Sequence, residues 1–179
     1  MLTLILGGAR SGKSRLAQRL AAAAGRISYI ATAQAGDDPE MTARIARHRT
    51  DRPRQWRIIE EPLALAEAVE RVAPESDAVV IDCLTIWLSN LFFAHRQAAQ
   101  EQVEEIARGE VARIAVAAKQ CHVIAVSNEL GNGTVPEAAV TRAFRDVQGF
   151  LNQWAAEAAD EVILTVAGLP LYLKGRQTK

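Results

Sequence analysis

Cysteine is scarce in this chain: two among 179 residues, Cys83 and Cys121, at no metal-ligand spacing. That argues against a disulfide-stapled scaffold or a thiolate metal cluster. Each lies in or beside an apolar run, so both read as small buried hydrophobes. Net charge is lacking too, with 21 basic and 21 acidic side chains. No global field recruits nucleic acid or a membrane surface, and any electrostatic recognition must be local. Aromatics make up only 5% of the residues, without the basic interleaving that stacks nucleic-acid bases. No apolar run approaches the roughly 20 residues that span a bilayer. The chain opens on a strand-like segment rather than a basic n-region with a cleavage site, so a cytoplasmic location is expected.

What is present is alternation. Apolar, β-branched runs at 2–6, 27–30, 78–81, 122–126 and 162–166 predict strands, and helical periodicity occupies 14–24, 62–72, 101–118 and 137–158. Continuous apolar strands between helices imply an α/β fold, a mostly parallel sheet with helices on both faces. The run Val166-Ala167-Gly168-Leu169-Pro170-Leu171-Tyr172-Leu173 predicts a terminal hairpin and one antiparallel edge strand. The length fits a single domain over 1–179. The segment 85–93 is apolar almost all round, so it is either deeply buried or a subunit contact, and the exposed-patch argument favours the subunit contact.

Between the first strand and first helix stands Gly7-Gly8-Ala9-Arg10-Ser11-Gly12-Lys13-Ser14, a full match to G-x-x-x-x-G-K-[ST]. Strand, glycine loop and helix together form a phosphate cradle: the backbone N–H groups wrap the anion and the helix dipole faces it. Lys13 is expected to reach the β/γ oxygens and the Ser14 hydroxyl to hold Mg²⁺, so the chain binds a nucleoside triphosphate. Val79-Val80-Ile81-Asp82 ends a strand in a carboxylate, suited either to that Mg²⁺ or to capping the next helix.

Residues 37–57 are the most unusual in composition. Asp37-Asp38-Pro39-Glu40 predicts a helix start. Six arginines follow, Arg44, Arg47, Arg49, Arg52, Arg54 and Arg57, with His48 among them. Arginine forks suit phosphate oxygens. His48 falls on the side of Met41 and Ile45, where neighbouring positive charge favours the neutral imidazole that can attack phosphorus. From the residues alone it is a nucleophile, a phosphate ligand or a structural histidine. His95 and His122 have no comparable setting.

Assembled in order, these residues closely resemble the bifunctional adenosylcobinamide kinase/adenosylcobinamide-phosphate guanylyltransferase family of cobalamin biosynthesis, from about residue 3 to about residue 174. The resemblance rests on the glycine loop; Tyr29-Ile30-Ala31-Thr32-Ala33; Met41, Arg44-Ile45 and His48-Arg49-Thr50-Asp51-Arg52-Pro53; Trp56 with Glu60; and Asp82-Cys83-Leu84-Thr85 with Asn90-Leu91. It continues in Ser127-Asn128-Glu129-Leu130-Gly131 with Val135-Pro136-Glu137; Arg142, Phe144-Arg145-Asp146, Gly149 and Asn152; and Ala159-Asp160-Glu161-Val162.

The resemblance implies two reactions. An ATP or GTP γ-phosphoryl group passes to the aminopropanol hydroxyl of adenosylcobinamide; GTP then guanylylates His48, and the phosphorylated corrinoid takes the GMP to give adenosylcobinamide-GDP. It implies GTP contacts at Gly7, Gly8, Ala9, Arg10, Ser11, Gly12, Lys13, Ser14, Thr32, Ala33, Gln34, Arg49, Thr50, Asp51, Arg52, Glu60 and Asp82, with Lys13 and His48 catalytic and Ser14 and Asp82 on the metal. It also implies a RecA-like P-loop NTPase fold and a homotrimer, with small-molecule corrinoid and nucleotide partners. A monofunctional P-loop small-molecule kinase with an arginine lid is the main rival, and it leaves His48 idle. A GTPase switch lacks its N-K-x-D motif, and a nucleic-acid motor fits poorly with zero net charge.

Overall fold

The computed structural model describes residues 1–34, 53 and 55–175. Its strands are β1 (Leu2–Gly7), β2 (Ile27–Ala31), β3 (Arg57–Glu60), β4 (Ala78–Asp82), β5 (His122–Asn128), β6 (Glu161–Val166) and β7 (Leu169–Lys174). They form one seven-stranded sheet in the order β3-β2-β4-β5-β1-β6-β7. All pairings are parallel except β6 with β7, so the antiparallel edge expected of the hairpin is present. The helices are α1 (Lys13–Ala21), α2 (Leu65–Val72), α3 (Leu84–Ala94), α4 (Gln100–Ala117) and α5 (Ala139–Ala158), with a 3₁₀ turn at Ala73–Glu75.

The unbroken apolar runs of the central strands feed both faces. Leu2, Leu4, Val79, Ile81, Val123 and Ala125 pack with α2, α3, α4 and α5 on one side. Ile5, Val80, Ile124 and Val126 pack with α1, Tyr29 and Trp56 on the other. A strand covered on both faces has no polar side to alternate with, hence the continuous runs.

Two expectations need correction. The first concerns 85–93: Trp87 and Leu88 are fully buried and Leu91 nearly so, all within the chain's own core. The helix is apolar all round because it lies under the sheet, and a charge at Leu88 opposes folding rather than assembly. Only Phe93, 73% exposed, faces outward among its large hydrophobics. The second concerns Arg57, counted among the arginines of an anion site. It starts β3, beside Ser28 at the entry end of β2, and pairs with Glu75 at 2.7 Å. It therefore stands at the far end of its strand from Glu60. The other five arginines of that run and His48 lie outside the described residues.

At the sheet's entry edge, His122 Nε2 bonds Thr3 Oγ1 at 2.9 Å. Burial, aided by the N-terminal ammonium, holds the imidazole below its ordinary 6.5, against the opposing pull of Glu161 and Asp160. The unfolded chain therefore takes up that proton first. Stability is full above about pH 6.5 and falls as the pH drops below it. Melting temperatures measured between pH 7.5 and 5.5 should fall more steeply for the wild type than for His122→Gln, which keeps a hydrogen-bonding group but does not titrate; equal slopes would remove His122 from the acid response.

Candidate functional site

The parallel strands all finish on one edge, and the register decides what meets there. Gly7 pairs with Asn128 across β1 and β5. Asp82 stands level with Ala31, and Ala31 with Glu60. In an open parallel sheet this carboxyl edge is where ligands bind.

The glycine loop turns from β1 into α1 on this edge. Gly12 takes φ +98°, a left-handed value that glycine adopts without Cβ strain, and caps α1. A Cβ on Gly7 would strike the Thr165 carbonyl and sit 2.6 Å from Ser11 Oγ, so only glycine fits the loop's entry. Lys13 is buried and its ammonium donates to the Gly8 carbonyl at 2.6 Å, folded over the loop it belongs to. The first turn of α1 carries no acidic side chain, which leaves its positive dipole end facing the loop.

The Asp82 carboxylate gathers the rest. Oδ1 accepts from the Ser14 hydroxyl at 3.3 Å and Oδ2 from the Tyr29 hydroxyl. The residue capping α3 is Cys83, with no side-chain cap bond, so the capping alternative for Asp82 finds no support here. The peptide joining Asp82 to Cys83 is cis. Thr32 braces this junction: its hydroxyl donates to the Cys83 carbonyl at 2.8 Å and accepts from the Cys83 N–H at 2.9 Å. Asn90 of α3 in turn donates to the Thr32 carbonyl at 2.8 Å. Burial, with the Asp82 charge beside it, pushes the Cys83 thiol up to about 11. It is a neutral packing group, as its apolar surroundings imply.

Of the expected site residues, Gly7 through Ser14, Thr32 and Asp82 come together on this edge, with Glu60 level with them at the end of β3. Ala33 and Gln34 follow Thr32 directly. His48, Arg49, Thr50, Asp51 and Arg52 lie outside the described residues. Three contributors were not legible as such. Tyr29 stands in the sequence only as part of a motif, yet its hydroxyl reaches Asp82. Asn90 likewise stands in the sequence only as part of a motif, within an otherwise apolar helix, and its amide holds the Thr32 carbonyl. The third is a buried cluster beneath the end of β5: Ser127 Oγ donates to Asn152 Oδ1 at 2.6 Å, Gln148 Nε2 donates to both, and Asn152 Nδ2 holds the Asn128 carbonyl at 3.0 Å. Polar residues on the apolar face of a helix were the available signal for the last.

The hydroxyl of Ser14 and carboxylate of Asp82 are hard oxygen donors. They suit Mg²⁺, which takes one or two protein oxygens and keeps waters and phosphate oxygens for the remainder.

Comparison with known proteins shows the family and the fold. The family model described as cobinamide kinase / cobinamide phosphate guanyltransferase matches residues 3–173. A bifunctional adenosylcobalamin biosynthesis protein, CobP, of Pseudomonas aeruginosa is 48% identical, the alignment covering 98% of each chain. The corresponding protein of Salmonella typhimurium, CobU, is 40% identical over 97% of this chain and 100% of its own. Among solved structures, an ATPase from a type III secretion system superposes with a TM-score of 0.61 at 11% identity. The match covers 96% of this chain but only 56% of the ATPase, so it speaks to the P-loop NTPase fold alone.

The Asp82 arrangement yields a test. Asp82→Asn keeps an oxygen for the Tyr29 or Ser14 hydroxyl but loses the charge. Phosphoryl transfer should fall about a hundredfold or more, the scale of several kcal/mol that a metal's grip on phosphate supplies. The melting temperature should hardly move. A large drop in melting temperature at near-normal rate would make Asp82 a structural residue only.

Proposed function

The chain belongs to the cobinamide kinase / cobinamide phosphate guanyltransferase family, and from that premise we propose that it runs both reactions at the single cradle formed by residues 7–14 and Asp82. The observation that carries the reading is the meeting of Ser14 with Asp82 at 3.3 Å at the mouth of the glycine loop. Full-length similarity to bifunctional relatives favours it over a monofunctional kinase.

In the kinase step the aminopropanol hydroxyl of adenosylcobinamide bonds the γ-phosphorus of ATP or GTP and releases its proton to solvent. The bond from that phosphorus to the β-phosphate oxygen breaks, and the nucleoside diphosphate leaves. Lys13 and the loop N–H groups hold the phosphates and spread the developing charge. Ser14 and Asp82 would hold Mg²⁺, which supplies further charge neutralisation when bound.

In the second step a neutral imidazole nitrogen of His48 attacks the α-phosphorus of GTP. A P–N bond forms and pyrophosphate leaves. The phosphate oxygen of the phosphorylated corrinoid then attacks the same phosphorus, the P–N bond breaks, and adenosylcobinamide-GDP departs with the imidazole restored. Arg49 and Arg52 are suited to the anionic groups around His48, and Thr50, Asp51, Glu60 and the stretch Thr32–Gln34 to the nucleoside. These assignments come from the family motifs.

Three further parts complete the reading. Residues 1–179 form one P-loop nucleotide-binding domain, consistent with similarity that spans nearly the whole chain. Among the described residues no helix is long and apolar enough to cross a membrane, which suits a cytoplasmic biosynthetic enzyme with small-molecule partners. Assembly is a homotrimer, for which the exposed Phe93 at the outer end of α3 is a fitting contact.

Incubation with GTP labelled at the α-phosphate should give a protein-bound GMP that resists base and is lost in acid. His48→Ala should abolish the adduct and guanylyl transfer while corrinoid phosphorylation survives at least in part. An adduct persisting in His48→Ala moves the nucleophile elsewhere, and loss of both activities makes His48 a shared binding residue.

Assembly has its own probe. Phe93→Glu should shift the protein from trimer to smaller species in sedimentation with little effect on melting, because the side chain is already exposed in the single chain. A monomeric wild type ends the trimer reading.

A further inference from the structure

The turn between β6 and β7 touches the glycine loop at both of its ends. Val166 pairs with Leu169, leaving Ala167 and Gly168 as a two-residue turn. Their φ values are +51° and +80°, both positive as a type I′ hairpin requires. Thr165, just before the turn, presents the carbonyl that a side chain on Gly7 would strike. Gly168 closes the other end, its Cα 3.1 Å from where a Cβ on Gly12 would stand. Between these contacts the Gly168 N–H donates to the Ser11 carbonyl at 2.9 Å.

That last bond has a stereochemical consequence. A trans peptide holds its C=O and its N–H on opposite sides. Fixing the Ser11 carbonyl outward on Gly168 therefore turns the N–H of the same peptide unit, that of Gly12, the other way. Among the described residues no acceptor takes the Gly12 N–H. It is a donor on the loop's concave side, held in place from behind.

We propose that Gly168 is a positioning residue for polyphosphate binding: its N–H, through Ser11, aims the Gly12 N–H at the bound phosphate, and the β6–β7 turn is the mould on which the loop is set. Such a mould helps the loop because Arg10 also has a positive φ, +57°, a left-handed value that is uncommon for a non-glycine residue and disfavoured without support from its surroundings. The turn itself is anchored, since Tyr172 of β7 packs against the core on the α1 face. The inference rests on the reading of residues 7–14 as the triphosphate site.

An ester in place of the Ala167–Gly168 amide, introduced by semisynthesis of the C-terminal segment, deletes the donor, keeps the shape of the turn and weakens the Ala167 carbonyl as an acceptor. Affinities for GTP and GMP, measured with Mg²⁺ present, separate aiming from mere support. The ester should weaken GTP about tenfold, the effect of one misdirected hydrogen bond to a charged group, while GMP binding and melting temperature change little. Gly168→Ala, whose Cβ meets nothing within 4 Å but sits at φ +80°, is the genetic counterpart and should shift the GMP-to-GTP affinity ratio in the same direction. Unchanged GTP affinity in both variants overturns the proposal if Lys13→Ala weakens GTP, as does a parallel loss of GTP and GMP. If Lys13→Ala leaves GTP affinity intact, the loop is not the triphosphate site and the proposal fails with it.

Discussion

The carboxylate of Asp82 is the constraint on which the carboxyl edge depends. It ends β4 and accepts one hydroxyl from the start of α1 and another from β2. Three elements that lie 14, 29 and 82 residues into the chain are thereby tied at one point. An ionised carboxylate only accepts, so every partner must bring a donor or a cation. Two hydroxyls satisfy part of its capacity and leave room for more. Hydroxyls are also the donors most easily redirected, because rotation about one bond frees the carboxylate oxygen for a stronger partner such as a divalent cation.

The cis junction after Asp82 is braced rather than left loose. Thr32 holds both sides of the Cys83 backbone, Asn90 holds Thr32, and the same amide reaches the Pro62 carbonyl at 3.2 Å. The Thr85 hydroxyl, in the first turn of α3, accepts from the Asn128 N–H at 2.8 Å and joins the end of β4 to the end of β5. Buried polar groups are costly unless satisfied, and their geometry is correspondingly well defined when they are. A purely apolar seam would fill the same volume but would not fix the strand ends to within a hydrogen bond's tolerance. That tolerance is what phosphate chemistry requires.

Much of this was legible in the residues, for identifiable reasons. The glycine loop, Asp82 and six of the seven strands announce themselves through local pattern: a motif with the right flanks, an unbroken apolar run, or a hairpin turn. Strand β3 does not, because Arg57-Ile58-Ile59-Glu60 offers two apolar residues between charges and borders an arginine-rich run. The segment 85–93 carried a true signal with two physical sources, and only the packed sheet above Leu88 separates burial from contact. Tyr29 on Asp82 and Gly168 on Ser11 are invisible to any local rule. The first joins residues 53 apart, and the second bridges an even longer interval. What the sequence encodes locally it shows; what it encodes through register appears only when the strands are laid side by side.

The two reactions place similar demands on one cradle, which is why a single site is physically reasonable. When a γ-phosphoryl group leaves, the bond between the γ-phosphorus and the bridging oxygen breaks, and charge develops on an oxygen of the β-phosphate. In the proposed transfer of GMP to His48, the bond between the α-phosphorus and its bridging oxygen would break, and charge would again develop on an oxygen of the β-phosphate. The reacting phosphorus differs, but the leaving charge falls on the same group from opposite sides. On the proposed reading, donors gathered around the β-phosphate, namely the loop N–H groups, Lys13 and the start of α1, would stabilise both transition states without moving. Which reaction occurs then depends on the nucleophile that is brought up, the corrinoid hydroxyl at one end of the triphosphate or an imidazole at the other. A loop held from behind by a hairpin, serving two alternative nucleophiles, is the division of labour that this chemistry favours.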